Sequence, residues 1–315
     1  MGAKPKFFSK NTTRLLKRYK ALYLLLLLPV AELLLFNYFP MYGVTVAFKK
    51  YKASLGIIGS PWIGLQWFRQ FIFDSYFWNV FKNTFLLGFY SLLWGFPAPI
   101  IFALLINEIR HIKFKKAVQT VTYLPYFISM VAVCGMILGM LSPTDGAINQ
   151  LLGLFGIKPV YFMTESSWFR TIYISTNIWQ NVGFGTIIYL AAIAGVDQEL
   201  YEAAIIDGAN RFHKMYYITL SSIKPTISIL LILAVPGVIG ANFEKVLLLY
   251  NPVIYDVSDI ISTYIYRIAL TARYQAMNKI EFGAAIGLFN SILSFILVLI
   301  SNQVSKLFDN TSSLW

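Results

Sequence analysis

The chain has 315 residues, 57% of them hydrophobic and only 13% charged, and a formal net charge of +12. Soluble domains carry about 25% charged residues, so a water-soluble fold is excluded, and there is room for six membrane helices of about 20 apolar residues each. The single Cys134 lies in an apolar run, and His111 and His213 lie in polar loops. That rules out a disulfide framework and argues against a metal site. The basic excess reads as membrane topology, not nucleic-acid binding.

Residues 1–20 carry seven Lys and Arg and no acid, which predicts a cytoplasmic tail by the positive-inside rule. Within it, Thr13 to Tyr19 reads equally as an amphipathic run on the anionic leaflet or as a solvated tail. No secretory signal is expected, because the first apolar run follows this polar tail and is too long for a signal core. Span 1 is expected at Ala21 to Tyr42, with a kink at Pro29 and Glu32 near mid-depth. A lone intramembrane acid is costly but is no proton relay, so Glu32 reads as protonated or as bonded to another span. Residues 21–82 make a first unit of span and outer loop, where Gly59 to Phe68 suits the membrane–water interface.

Residues 83–304 make a core of five further spans. They are expected at Asn83–Ile106, Ala117–Leu141, Trp168–Gly195, Thr219–Ala241 and Phe282–Val304. The loop from Asn107 to Lys116 holds Arg110, Lys113, Lys115 and Lys116, which places it inside. Span 4 is unusually polar, with Asn177, Trp179, Gln180, Asn181 and Thr186. Residues 242–280 return outside, and 305–315 form a second cytoplasmic tail. Asp256 and Asp259 in the outer segment, three residues apart, read as solvated or as contacts to another protein.

One polar stretch interrupts the second half: Leu200 to Lys224, within a loop spanning residues 197–218. Asp197 caps a helix start, with Glu199 in its first turn. Leu200, Ala203, Ala204 and Asp207 share a face by i, i+3, i+4 spacing. Gly208 ends that helix, and Asn210 caps a second one whose apolar face is Phe212, Met215 and Tyr216. The segment therefore reads as helix, turn, helix, with two small alanines leaving a flat shoulder for another protein.

The pattern Glu202-Ala203-Ala204, Gly208-Ala209 and Ile218-Thr219-Leu220 resembles the EAA loop of permease subunits from binding-protein-dependent ABC importers. Where that family usually has a proline after the Ile-x-Leu, this chain has Ser221, with Pro225 further on; the departure concerns how the second helix joins the next span. Phe39-Pro40-Met41-Tyr42-Gly43, Gly59-Ser60-Pro61-Trp62-Ile63-Gly64-Leu65, Phe243-Glu244-Lys245, Leu249-Tyr250-Asn251-Pro252 and Tyr264-Ile265-Tyr266-Arg267 extend the resemblance over nearly the whole chain. They are similar to the oligosaccharide and polysaccharide branch, which holds the permeases of alginate and maltose importers. The resemblance implies an all-α integral membrane fold of six transmembrane helices, with a cytoplasmic coupling helix between spans 4 and 5. It implies a bacterial plasma-membrane location with both termini cytoplasmic. The implied partners are a second permease subunit, a paralogue in a heterodimer, together with two ATPase subunits and an extracellular solute-binding protein. Leu200, Glu202, Ala203, Ala204, Asp207, Gly208, Ala209, Phe212 and Met215 then form the docking surface for the ATPase.

The chain has no G-x-x-x-x-G-K-[ST] loop to hold ATP phosphates. It is therefore expected to bind no cofactor and to be no enzyme, with ATP and Mg on the partner subunit. Sugars need hydrogen-bonding groups beside flat apolar faces. Asn177, Gln180 and Asn181, expected on one face, with Trp179, Tyr189, Asn242 and Asn290, are candidates for an oligosaccharide path, or else polar glue between helices. Lys49, Lys50, Arg267 and Arg273 outside would suit an acidic glycan or acids on the binding protein. An importer of a non-sugar solute is the main alternative. A proton-driven carrier would want more intramembrane acids, a membrane enzyme would want a catalytic set, and an exporter half would lack the EAA pattern.

Overall fold

The computed structural model describes Leu15, residues 18–270 and residues 280–308. Most of the basic tail, Arg273 and residues 309–315 lie outside the described residues. A chain in lipid must satisfy its backbone internally, and a helix does so within one segment. The described residues are accordingly helical almost throughout, with no strand beyond the single bridge between Lys49 and Trp62.

In chain order the main helices are α1 (Lys20–Phe48), α2 (Gln66–Ile72), α3 (Ser75–Asn107), α4 (Ile112–Phe127), α5 (Met130–Met140), α6 (Ala147–Leu154) and α7 (Ser166–Ala194). They continue with α8 (Gln198–Ile206), α9 (Arg211–Leu220), α10 (Lys224–Ile239), α11 (Phe243–Leu249), α12 (Ile261–Leu270) and α13 (Ile280–Phe308). Among the described residues α1, α3 and α13 are each long and apolar enough to cross a membrane. The count rises to six if the bent pairs α4–α5, α7–α8 and α9–α10 are each one span.

The bends correct three expectations. Span 3 is not one helix: α4 and α5 meet at 100°. Pro125 opens a 3-10 turn, Ile128 and Ser129 are extended, and Ser129 Oγ accepts from Ala132 N to start α5 afresh. A proline that cannot donate, followed by a side chain that caps, stops one helix and restarts another. Span 5 does not start at Thr219. α9 runs through a π-turn to Leu220, and the chain bends 63° before Pro225 in the first turn of α10. In span 1 the α-helix continues through Pro29, and a π-turn follows over Leu34–Tyr38 just before Pro40, which has no N–H to return.

α7 is the centre of the packing. It lies along both halves of α3 and touches α4 and the Tyr255–Ser258 turn. At its crossing with α4, a Cβ on Gly183 would stand 2.0 Å from the Thr122 carbonyl oxygen, so the two backbones meet with nothing between them. α13 packs on the end of α1 and on α12, and α11 packs on α5.

The segment after α10 is clamped to α3 by a buried carboxylate, contrary to the solvated role expected of Asp259. Asp259 is fully buried; it accepts from Arg267 Nη2 at 2.5 Å, Tyr76 OH at 2.6 Å and Thr263 Oγ1 at 2.7 Å. Asn83 Nδ2 donates to the backbone carbonyls of Asp256 (2.8 Å) and Asp259 (3.3 Å). Arg267, offered above as a glycan contact, is committed to this pair and stacks 4.5 Å over the Tyr255 ring. Lys49 is likewise engaged, donating to the Ile57 and Ile58 carbonyls.

Gly183→Ala should force α4 off α7. The assembled protein should unfold at lower temperature, by an amount matching roughly 1–3 kcal/mol of overpacking strain, while Gly135→Ala, where the added methyl meets no atom within 4 Å, should leave the melt close to wild type.

Candidate functional site

Two features carry function-bearing residues: a groove between helices and a capped helical hairpin. Both are built on α7.

The groove runs between α3, α7 and α10 and encloses about 370 Å³. Asn177, Asn181 and Tyr189 line it from α7, with Ser91 and the small residues Gly88 and Gly237 opposite. Asn181 Nδ2 donates to Asn177 Oδ1 at 3.1 Å and to the Asn177 carbonyl at 2.8 Å. Gln180, expected on the same face, is elsewhere. Successive helical residues turn by about 100°, so Gln180 lies about 100° from Asn181. It is buried against the break in span 3 and donates to the Ile128 carbonyl at 3.4 Å. That bond answers one of the backbone groups the break leaves open. Trp179 is exposed on another side. Asn242 caps α11, accepting from Lys245 N at 3.0 Å. Asn290 has a buried Oδ1 without a hydrogen-bond partner on α13, and is not among the groove's lining residues. The structure thus gathers three of the seven predicted path residues in one cavity.

A second cavity of about 350 Å³ lies nearer the start of α7, and Ile178 lines both. Arg170, Tyr90, Trp94 and Ser175 line it. The sequence reading passed over Arg170; the available signal was a cation within a predicted span.

The hairpin forms as the sequence spacing predicts. Asp197 Oδ1 accepts from Glu199 N at 3.0 Å and starts α8. Gly208, at φ +77°, closes it: Ala209 N donates to Ala204 O at 2.8 Å and Gly208 N to Ile205 O at 3.1 Å. This is the glycine-terminated double bond pattern that satisfies the last carbonyls of a helix. Asn210 Oδ1 accepts from His213 N at 2.9 Å and starts α9. Tyr201 OH and Thr219 Oγ1, 2.9 Å apart, tie the two helices together. Glu202, Ala203, Asp207 and Gly208 are exposed, while Ala204 and Ala209 border a small cleft. Phe212 is 75% exposed, but Met215, expected beside it, turns inward to the core around Ile100 and Ile223. Ile205, Ile206 (86% exposed), Tyr216 and Tyr217 complete an apolar surface; of these the sequence reading included only Tyr216.

Lys245 is fully buried at the start of α11. Its Nζ donates to the Tyr173 carbonyl at 3.1 Å and lies 5.1 Å from the Tyr173 ring centroid. Burial pushes its ammonium down to about 8, with Cys134 as the neighbouring titratable group. Among the described residues no His, Cys, Asp and Glu cluster could hold a metal.

A helical membrane protein with a largely apolar groove between its spans, carrying Asn177, Asn181 and Ser91, and a helical hairpin is the class these features define. No protein-family model matches the chain. It is 40% identical over 294 residues to protein LplB of Bacillus subtilis, covering 93% of this chain and 91% of that one. It is 41% identical over 289 residues to the polygalacturonan/rhamnogalacturonan transport system permease protein YteP of the same organism, covering 92% and 88%. Among solved structures it is similar to a chain of a bacterial ABC transporter that imports the acidic polysaccharide alginate, with a TM-score of 0.86, 42% identity and coverage of 95% of this chain and 100% of that one. The chain belongs to the permease subunits of sugar ABC importers.

The Lys245 amine binds protons more weakly folded than unfolded, where its value is 10.5. Between about 8 and 10.5 the unfolded chain therefore holds more protons, and stability rises with pH across that window. The melting temperature of wild type should climb between these limits relative to Lys245→Met, which should lack the rise and be the more stable of the two near pH 7.

Proposed function

We propose that this chain is the permease subunit through which an ATP-driven importer carries oligosaccharides, with the α8–α9 hairpin as the coupling element and the α3–α7–α10 groove as its share of the sugar path. The observation that carries the reading is the hairpin. A short helix closed by a left-handed glycine displays Leu200, Ile205, Ile206 and Phe212 beside the flat Ala203–Ala204 shoulder. An exposed apolar patch of this kind on a structured element marks a protein contact. Glu202, Ala203, Ala204 and Gly208 seat in a cleft of the ATPase subunit, on the cytoplasmic side, and ATP and Mg are held by that partner. Closure of two ATPase subunits moves the hairpin and, through α7, the groove.

Asn177 and Asn181 offer donors and acceptors to sugar hydroxyls, and Tyr189 offers a ring face. A paralogous second permease subunit completes the path, and the outer segments 43–81 and 242–270 receive the solute-binding protein. Two findings support this assembly: the similarity to permeases of sugar importers, and a second solved alginate transporter, determined with an alginate pentasaccharide-bound periplasmic protein, at a TM-score of 0.85 and 41% identity.

The test is the ATPase activity of the reconstituted assembly, with its binding protein, over a panel of neutral and acidic oligosaccharides. Stimulation by one class supports the reading; stimulation by none overturns the oligosaccharide assignment. Gly208→Val asks for a φ of +77° from a β-branched residue, a strain of about 1–2 kcal/mol. It should distort the hairpin and abolish sugar-stimulated ATPase and transport, while Gly153→Ala, in open space on α6, should not.

A further inference from the structure

We infer that Arg170, with Trp94 and Tyr90, forms a subsite for the carboxylate of an acidic sugar beside the groove. The inference rests on the oligosaccharide-import reading and specifies its substrate class.

Arg170 stands in the first turns of α7, a helix of the transmembrane bundle. A guanidinium there needs a partner for its charge. The partner inside the protein is partial. Nη2 donates to Asn83 Oδ1 at 3.1 Å, and Asn83 is itself held by the Asp256 and Asp259 carbonyls. Nε is buried without any hydrogen-bond partner. Both nearby acids are spent on other groups. Asp259 is paired to Arg267, and the Asp256 carboxylate takes the hydroxyl of Ser166 at 3.0 and 3.1 Å. Among the described residues Arg170 makes no ion pair. The protein thus positions a cation rigidly and leaves its charge unanswered.

The surroundings name the missing anion. Arg170 lines the second cavity together with Tyr90, Trp94 and Ser175. Trp94 is 60% exposed, leaving part of the indole uncovered. The guanidinium's Nη hydrogens not given to Asn83 can donate to a carboxylate, an aromatic face takes the apolar side of a pyranose ring, and Ser175 supplies a hydroxyl for a sugar hydroxyl. A uronic acid presents all three. The cavity and the groove that holds Asn177 and Asn181 share Ile178 as a lining residue on α7, so the subsite is a neighbour of that groove along the same helix.

The experiment measures sugar-stimulated ATPase of the reconstituted assembly with its binding protein, using trigalacturonate and an alginate trisaccharide as acidic probes and maltotriose as the neutral one. Arg170→Gln retains a donor for Asn83 but removes the charge; Arg170→Lys retains the charge. Stimulation by an acidic probe is expected. Arg170→Gln should raise its half-saturating concentration roughly 10-fold, as loss of a charge-assisted hydrogen bond would, and Arg170→Lys should recover part of that. If Arg170→Gln behaves as wild type, or rescues better than Arg170→Lys, the residue only braces Asn83 and the subsite is overturned. The same holds if maltotriose alone stimulates, although the importer reading then stands; silence with all three probes defeats the oligosaccharide reading itself. A lipid phosphate is the other source of anion. Vesicles of phosphatidylcholine with and without phosphatidylglycerol separate it: an Arg170→Gln defect seen only with the anionic lipid overturns the sugar assignment.

Discussion

The Asp259 carboxylate is the contact on which the half of the molecule around α3 and α12 depends. It is fully buried, and its three donors come from α3 (Tyr76) and from the first and later turns of α12 (Thr263 and Arg267). A buried charge is tolerated only when every lone pair is met. Removing one member of such a pair costs about 3–5 kcal/mol, a large fraction of what holds a domain together. The same segment also fixes Asn83, through two backbone carbonyls, and Asn83 fixes Arg170. The ion pair is therefore the root of a chain of hydrogen bonds that ends at Arg170, in the wall of the second cavity.

The structure couples two jobs on one helix. α7 lines the groove with Asn177, Asn181 and Tyr189, and it leads across the Gly195–Asp197 turn into α8. α9 then returns to α10, which lines the groove from the other side with Leu230, Ala234 and Gly237. The hairpin is thus joined to the groove by two helices, one on each flank. The tie between Tyr201 and Thr219 holds those two connections at a fixed spacing.

Hairpin and spans were legible in sequence for different reasons. Caps and glycine stops are local: Asp197, Gly208 and Asn210 each act on residues within four positions, so spacing alone identifies them. Apolar length identifies α1, α3 and α13 in the same way. What spacing does not carry is a choice made across the fold. Pro125 is compatible with a kinked continuous helix; the full break follows because Ser129 restarts α5 and Gln180, 52 positions away in sequence, meets the exposed carbonyl of Ile128. Asp259 reads as a surface acid until Tyr76, Thr263 and Arg267 converge on it. Met215 reads as part of an exposed face until the π-turn over Lys214–Leu220 rotates the end of α9. Arg170 went unremarked in the sequence, and its place beside Trp94 and Tyr90 is a product of the fold, not of spacing.

α7 is an unbroken α-helix of 29 residues, about 44 Å long at 1.5 Å per residue. It contains no proline and no π-turn, unlike α1, α9 and their continuations. A rod without a joint has only one way to answer a push at its end, which is to tilt as a whole. A tilt of about 10° about the Gly183 crossing carries the Ser166 end, about 26 Å away, roughly 4 Å sideways. Its pivot is set by its tight crossing of Gly183 against Thr122, which divides the rod into a shorter arm toward α8 and a longer arm toward Ser166. Small displacements at the hairpin are in consequence magnified at the Ser166 end of α7, and the position of a single glycine fixes the gearing.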